Sequence, residues 1–211
     1  MSIEQKASYP PQSSREATSR SEQHAAPQES PSSTFFDLIA HRTSARCWGI
    51  GDVPDAVIQE ALQHACRAPS AGNLQAYRVV VVRGDQRRYL ARACAKQSFV
   101  AHAPACLVFL ADGEASAVKY SDRGTKLYSI QDATLMAGYT QLALEQLGVA
   151  TVWVGAMDET AVAQVVGAPA GLRAVAVLPL GWPMPDVDAN AKPSTRRPVE
   201  AWTYWGGRVT T

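Results

Sequence analysis

The sequence predicts an α+β domain built around a small sheet, and three observations carry that reading. Apolar or β-branched runs at Tyr77–Val82, Ala105–Ala111 and Leu172–Leu180 have the length and composition of buried strands. Segments with apolar residues at helical spacing, bounded by helix-start and helix-stop residues, lie between them. The two kinds of element are mixed along the chain, with no internal repeat.

The opening segment stands apart. Residues 1–34 are dominated by Ser, Pro, Gln and Glu and hold almost no large apolar side chain. Such a stretch buries too little surface to offset its ordering entropy, so a disordered tail is expected, with the folded domain over residues 35–211. It lacks the apolar core of a secretory signal, and Glu4, Glu16, Glu22 and Glu29 argue against an organelle transit peptide.

Within the domain, Ser33 or Thr34 can cap a short helix through Arg42 with Phe35, Leu38 and Ile39 on its apolar face. Asp52-Val53-Pro54 opens a second helix with Pro54 in its first turn, and Val57, Ile58, Ala61, Leu62 and Ala65 form its apolar face. It ends before Pro69, because the residue preceding a proline avoids helical backbone. The strand Tyr77–Val82 follows, then Gly84-Asp85 as punctuation and a helix to about Lys96. After the strand Ala105–Ala111, Lys126–Leu147 reads as one long helix of roughly 30 Å, stopped by Gly148. Ala150–Val154 reads as a strand, Glu159–Val166 as a short helix and Leu172–Leu180 as the last strand. Pro183, Pro185, Pro193 and Pro198 mark an extended tail.

On the long helix, Leu135, Met136, Tyr139, Leu142, Ala143 and Leu147 make a wide apolar stripe, and the opposite side carries Ala137 and Gly138 in place of charge. A helix apolar nearly all round must be covered on every side. A central core position would do this; so would a subunit interface, which is the expectation for a domain this small.

Composition excludes several functions. With 46% hydrophobic residues in 211, the chain can bury a sizeable core. A net charge of +1 and no basic cluster predict no nucleic-acid partner. No run approaches the roughly 18 apolar residues of a membrane span. Cys47, Cys66, Cys94 and Cys106 have no zinc-like spacing, so no metal site is expected and free thiols in a cytoplasmic protein are. Cys94 and Cys106 sit in apolar surroundings and read as small core residues. No serine, cysteine or histidine has an evident base and orienter, so no hydrolytic triad and no catalytic side chain is assigned.

Four clusters can carry ligand chemistry. Arg42-Thr43-Ser44-Ala45-Arg46 sets two guanidiniums at i and i+4 with hydroxyls between, a set suited to a phosphate and also to a solvated helix end. Ala68-Pro69-Ser70-Ala71-Gly72-Asn73-Leu74-Gln75, between a helix and a strand, offers uncharged donors and acceptors. They match the pyrimidine edge of an isoalloxazine ring, or form an ordinary connection. Trp153-Val154-Gly155-Ala156 ends a strand at a glycine that permits close backbone approach. Leu180-Gly181-Trp182-Pro183 and Arg196-Arg197-Pro198 come last, and the arginine pair can reach a phosphate or lie in solvent.

In this order and spacing the clusters resemble the nitroreductase-like FMN-dependent flavoprotein family. Its pattern is R-x-S-x-R, then A-P-S-x-x-N-x-Q before a strand, a glycine after a later strand, G-x-P and a terminal R-x-P, matched here across about residues 35–205. The resemblance implies an α+β sandwich with a mostly antiparallel central sheet flanked by helices, dimeric with exchanged terminal extensions. It implies FMN at the dimer interface, NAD(P)H as co-substrate, a small-molecule acceptor such as a nitroaromatic or quinone, and ping-pong kinetics. Relatives that oxidise an organic substrate and return electrons to oxygen, and non-catalytic FMN-binding modules, remain as alternatives. Carried over residue by residue, Arg42, Thr43, Ser44, Arg46 and Arg196 would hold the phosphate. Pro69, Ser70, Asn73 and Gln75 would line the ring, Val154 and Gly155 would face its N5 edge, and Lys96 or Gln97 its far edge. The chain departs from the pattern at Thr43, where a basic residue is common, and at Ala76-Tyr77, where Pro-Trp often follows the glutamine.

Overall fold

Four strands hydrogen-bond in the order β1 (Tyr77–Val82), β2 (Ala105–Asp112), β4 (Leu172–Gly181), β3 (Ala150–Thr151), and each neighbouring pair is antiparallel. The structure is a computed structural model that describes residues 34–184 and 195–207. The tail expected over 1–34 lies outside the described residues except Thr34, which begins α1 (Thr34–His41). Pro185 and Pro193 lie outside them too.

Alternation along the strands makes two hydrophobic layers, as the two-residue side-chain period requires. Ala105, Leu107, Phe109, Ala176, Leu178 and Leu180 face α2 (Asp55–Ala65) and α6 (Ser129–Gln146). Cys106, Val108, Leu110 and Val177 face α3 (Gln86–Ala93), α4 (Ser98–His102) and α7 (Glu159–Val165). All eight residues of β2 are buried, as befits a central strand covered on both faces. Phe109 pairs with Ala176 and Leu110 with Ala174, so Val175 is the extra residue of a bulge in β4.

The structure departs from the sequence reading at several places. Pro54 sits just ahead of α2 in extended backbone (ψ 146), not inside its first turn. The helix expected to reach Lys96 stops at Ala93, because Ala95 and Lys96 take left-handed backbone (φ 53 and 59), and α4 follows separately. α5 (Gly113–Arg123), capped by the Asp112 carboxylate accepting from Ala115 N at 2.9 Å, falls where no element was expected. A wide π turn over Gly124–Tyr128 then leads into α6, which therefore begins at Ser129. Of the expected strand Ala150–Val154 only Ala150–Thr151 joins the ladder, with Val154 bridged singly to Val177.

The face of α6 also differs from the expected stripe. Its core-facing row is Ala133, Met136, Ala137, Thr140 and Leu144, at spacings of three and four residues. Leu135 and Tyr139 stand off that row, 38% and 42% exposed in the single chain. Met136, Ala137 and Leu144 of that row pack in one cluster with Leu107 and Phe109 of the sheet. Among the described residues no helix is long and apolar enough to cross a membrane, and no cluster of His, Cys, Asp or Glu could hold a metal ion.

Candidate functional site

The loop between α2 and β1 is closely constrained. Gly72, Asn73 and Gln75 take left-handed backbone (φ 57, 59 and 49), which costs least at glycine and is tolerated by asparagine. Local bonds close the turn: Asn73 N donates to Ser70 O at 3.0 Å, and Gln75 N to Ser70 Oγ at 3.1 Å. The strap is Asp132 of α6, 2% exposed. Its carboxylate accepts from Ala71 N at 2.9 Å and from Ala76 N at 3.3 Å, one at each end of the left-handed run. The sequence reading missed Asp132. Its only sequence signal is an acid on the apolar row of a helix, a position where a carboxylate needs buried donors.

The loop presents uncharged groups. Asn73 and Gln75 are exposed, joined only by a 3.5 Å contact between Gln75 Nε2 and Asn73 Oδ1. Pro69 and Ser70 line a cavity of about 530 Å³ whose other wall is Tyr128, Gln131 and Leu135, from the π turn and the start of α6.

The arginine segment lies elsewhere. Past α1 the chain runs alongside β3, where Ala45 N donates to Thr151 O at 3.0 Å, and on to Trp182, where Gly49 N donates to Trp182 O at 2.9 Å. Arg42 Nη1 donates to Thr43 O at 2.7 Å, and Arg46 makes a long 3.4 Å bond to Ser44 O while its guanidinium stands 5.8 Å from the Phe99 ring centre. Among the described residues neither arginine has a carboxylate partner, and Ser44 is exposed. Thr43 lines a separate crevice of about 170 Å³ with His41 and Pro183.

Gly155 follows at the same edge of the sheet. Val154 is buried, and both its backbone groups are occupied by Val177, with N–H to O at 2.9 Å and O from N–H at 3.0 Å. Any backbone donor offered to a ligand here therefore comes from Gly155, not Val154. Gln97 Nε2 donates to Ala156 O at 3.3 Å, so Gln97 stands beside this glycine, whereas Lys96 is exposed. Arg196 is exposed, and among the described residues no hydrogen bond or ion pair joins it to the arginine segment; Arg197 donates to Ala201 O at 2.8 Å.

The site residues thus fall into two sets on opposite edges of the sheet. Arg42–Arg46 and Gly155 flank β3, and Pro69–Gln75 leads into β1. Three strand spacings, about 14 Å, separate the edges. Along the strands Tyr77 aligns with Ala111, whereas Thr151 aligns with Leu180 and through it with Ala105. That is a further offset of about 20 Å at roughly 3.3 Å per residue.

The profile of the Nitroreductase family matches residues 39–105 and 93–182. A Thermus thermophilus protein named NADH dehydrogenase is 31% identical over 192 residues, which span 78% of this chain and 92% of that protein. Nitroreductase A of Vibrio parahaemolyticus superposes with a TM-score of 0.74 at 23% identity, covering 86% of this chain and 78% of that one. The NADPH:FMN oxidoreductase of Vibrio harveyi, solved with NAD+, superposes with a TM-score of 0.72 at 24% identity, covering 83% and 78%. The antiparallel sheet between two helical layers is thus the nitroreductase fold, and the chain belongs to the nitroreductase family.

Proposed function

We propose that the protein is an FMN-dependent oxidoreductase that takes two electrons from NAD(P)H and delivers them to a small organic acceptor, such as a nitroaromatic or a quinone, and that it works as a homodimer. The observation that carries this reading is the separation of two complementary donor sets on opposite edges of one sheet. One holds two guanidiniums that pair with no carboxylate among the described residues; the other holds neutral amides, a hydroxyl and a fixed backbone. A ligand with a phosphate at one end and an uncharged ring at the other fits these chemistries, and the spacing asks for the arginine edge of one chain beside the loop of another. A two-fold axis meets that need twice over, giving two equal sites. Phe35, Phe36, Leu135 and Tyr139, all exposed in the single chain, supply apolar surface for such an interface.

In this reading Arg42 and Arg46 fork the FMN phosphate, with Thr43 and Ser44 as neutral donors and Arg196 as a further contact. Pro69, Ser70, Asn73 and Gln75 of the partner subunit line the ring, held in place by Asp132. Gly155 brings a backbone N–H close to the ring because no side chain stands in the way, and Gln97 lies beside it. The chemistry supplied by the bound flavin is two-electron hydride exchange, with donor and acceptor using the site in turn. The chain's own residues bind, orient and exclude water, and no side chain need act as acid or base.

Anaerobic mixing of the purified protein with NADH and with NADPH tests this. The flavin absorbance should bleach and return on addition of a nitroaromatic or quinone, and the flavin released by heat should chromatograph as FMN. A flavin that stays oxidised with both donors, or FAD in the supernatant, would overturn the reading.

A further inference from the structure

A cationic, aromatic cluster closes on the Pro69–Gln75 loop, and none of its residues has been given a role so far. Asp112 ties the start of α5 to the exit of that loop. Its N–H donates to Ala76 O at 2.9 Å, and its carboxylate pairs with Arg78 at 2.8 Å while capping α5. The far end of α5 comes back over the loop: a Cβ at Gly72 would lie 2.6 Å from Tyr120 Oη and 2.8 Å from Lys119 Nζ. Both side chains therefore rest on the loop backbone where it passes through its left-handed turn.

Ser121, at φ 47 and ψ −138, breaks the helical path, and the π turn then brings Tyr128 edge-on to Tyr120 (4.9 Å, 83°). A cation sits on each ring: Lys119 Nζ is 5.5 Å from the Tyr120 centre, and the Arg123 guanidinium 5.2 Å from that of Tyr128. Arg123 Nε also donates to Tyr128 Oη at 2.8 Å. Tyr128 in turn lines the 530 Å³ cavity together with Pro69 and Ser70. Lys126 is neutralised by Asp122 at 2.6 Å, but among the described residues no carboxylate pairs with Lys119 or Arg123. Gly124 permits this geometry, since a Cβ there would lie 2.5 Å from Ser116 O.

Two unneutralised cations held on aromatic faces are partly oriented before any ligand arrives. They border a loop that carries no charged side chain between Ala68 and Gln75, so they supply the positive charge beside it. A nicotinamide dinucleotide must lay its ring over that loop's ligand while its phosphates find positive charge nearby.

We propose that Lys119 and Arg123 bind the phosphate groups of the nicotinamide dinucleotide that reduces the flavin, with Tyr120 and Tyr128 as the platform that aims them. This rests on the function proposed above. The test compares NADH and NADPH with a phosphate-free hydride donor, 1-benzyl-1,4-dihydronicotinamide, on the flavin-loaded protein and its Lys119→Gln, Arg123→Gln and Lys119→Arg variants. For each glutamine variant, kcat/KM for the dinucleotide relative to the phosphate-free donor should fall about 10- to 100-fold, the size expected for one charge-assisted contact. The fall should appear in KM, the dependence on salt should flatten, and Lys119→Arg should recover most of the loss. Wild-type bleaching by NAD(P)H with an unchanged ratio in both glutamine variants would overturn the phosphate assignment alone. Wild-type bleaching by the phosphate-free donor but by neither dinucleotide would overturn that assignment together with the NAD(P)H reading on which it rests.

Discussion

The Asp132 carboxylate accepts a hydrogen bond from the Ala71 backbone N–H at 2.9 Å, joining the long helix to a loop sixty-one residues earlier in the chain. A second bond, from Ala76 N, makes the strap two-pointed. Asp132→Ala strands both donors near the interior, and each unsatisfied group costs about 1–3 kcal/mol. The variant should lose about 2–4 kcal/mol in urea unfolding monitored by circular dichroism. FMN affinity should fall as well, because the loop must then be ordered on binding. A variant with wild-type stability and affinity would remove Asp132 from the site.

Arg42 and Arg46 should govern cofactor retention, not the chemical step. A phosphate gripped equally throughout the reaction contributes to affinity and leaves the barrier unchanged. One lost charge-assisted hydrogen bond, worth roughly 1.5–3 kcal/mol, weakens FMN by about 10- to 150-fold. Arg42→Ala and Arg46→Ala should therefore purify pale and regain most turnover at saturating FMN, read by fluorescence quenching beside steady-state rates. Arg196→Ala should have a larger effect than Arg197→Ala, whose guanidinium is already bonded to Ala201 O.

Leu135 and Tyr139 test the proposed dimer. Both stand outside the core row of α6, so a charge at either leaves the chain's own interior intact. Leu135→Glu or Tyr139→Glu should yield a folded protein that light scattering finds monomeric and that carries little flavin. A flavin-loaded dimer in both variants would place the interface elsewhere.

The thiols give a pH signature. Burial pushes Cys94 up to about 11 and Cys106 up to about 12, from an ordinary thiol value of 9.0. The unfolded chain loses these protons first, so their contribution to stability is complete below pH 9 and declines as pH rises toward 11–12. The loss is up to about 1.4 kcal/mol per pH unit for each thiol. Thermal unfolding of wild type against Cys94→Ala between pH 8 and 10.5 should show a shallower alkaline decline in the variant. In the native protein at pH 8, a thiol reagent should label the exposed Cys47 and Cys66 and spare the other two.

Much of this protein could be read from residues that interact with near neighbours in sequence. Leu172–Leu180 is a strand whose side chains bury on both faces of the sheet, whereas Tyr77–Val82, expected to be buried, is a β-branched edge strand of which only Val82 is buried, and α2 is a helix because its apolar spacing needs one. The ordered motifs also named the family, since each concentrates turn, amide or guanidinium chemistry within a few residues. Other features came from contacts across the fold. α5 was not legible because its apolar pattern is weak, and it is anchored by Asp112, Arg78 and Ala76. The inward row of α6 is set by the sheet it packs on, where Met136, Ala137 and Leu144 meet Leu107 and Phe109. The role of Asp132 depends on donors sixty-one and fifty-six residues away. The strand order β1-β2-β4-β3 set the arginine segment and the amide loop on opposite edges, where adjacency along the chain carries no information. Local sequence fixes which groups a segment can offer; which of them meet is decided by hydrogen-bond satisfaction and packing between segments far apart in the chain.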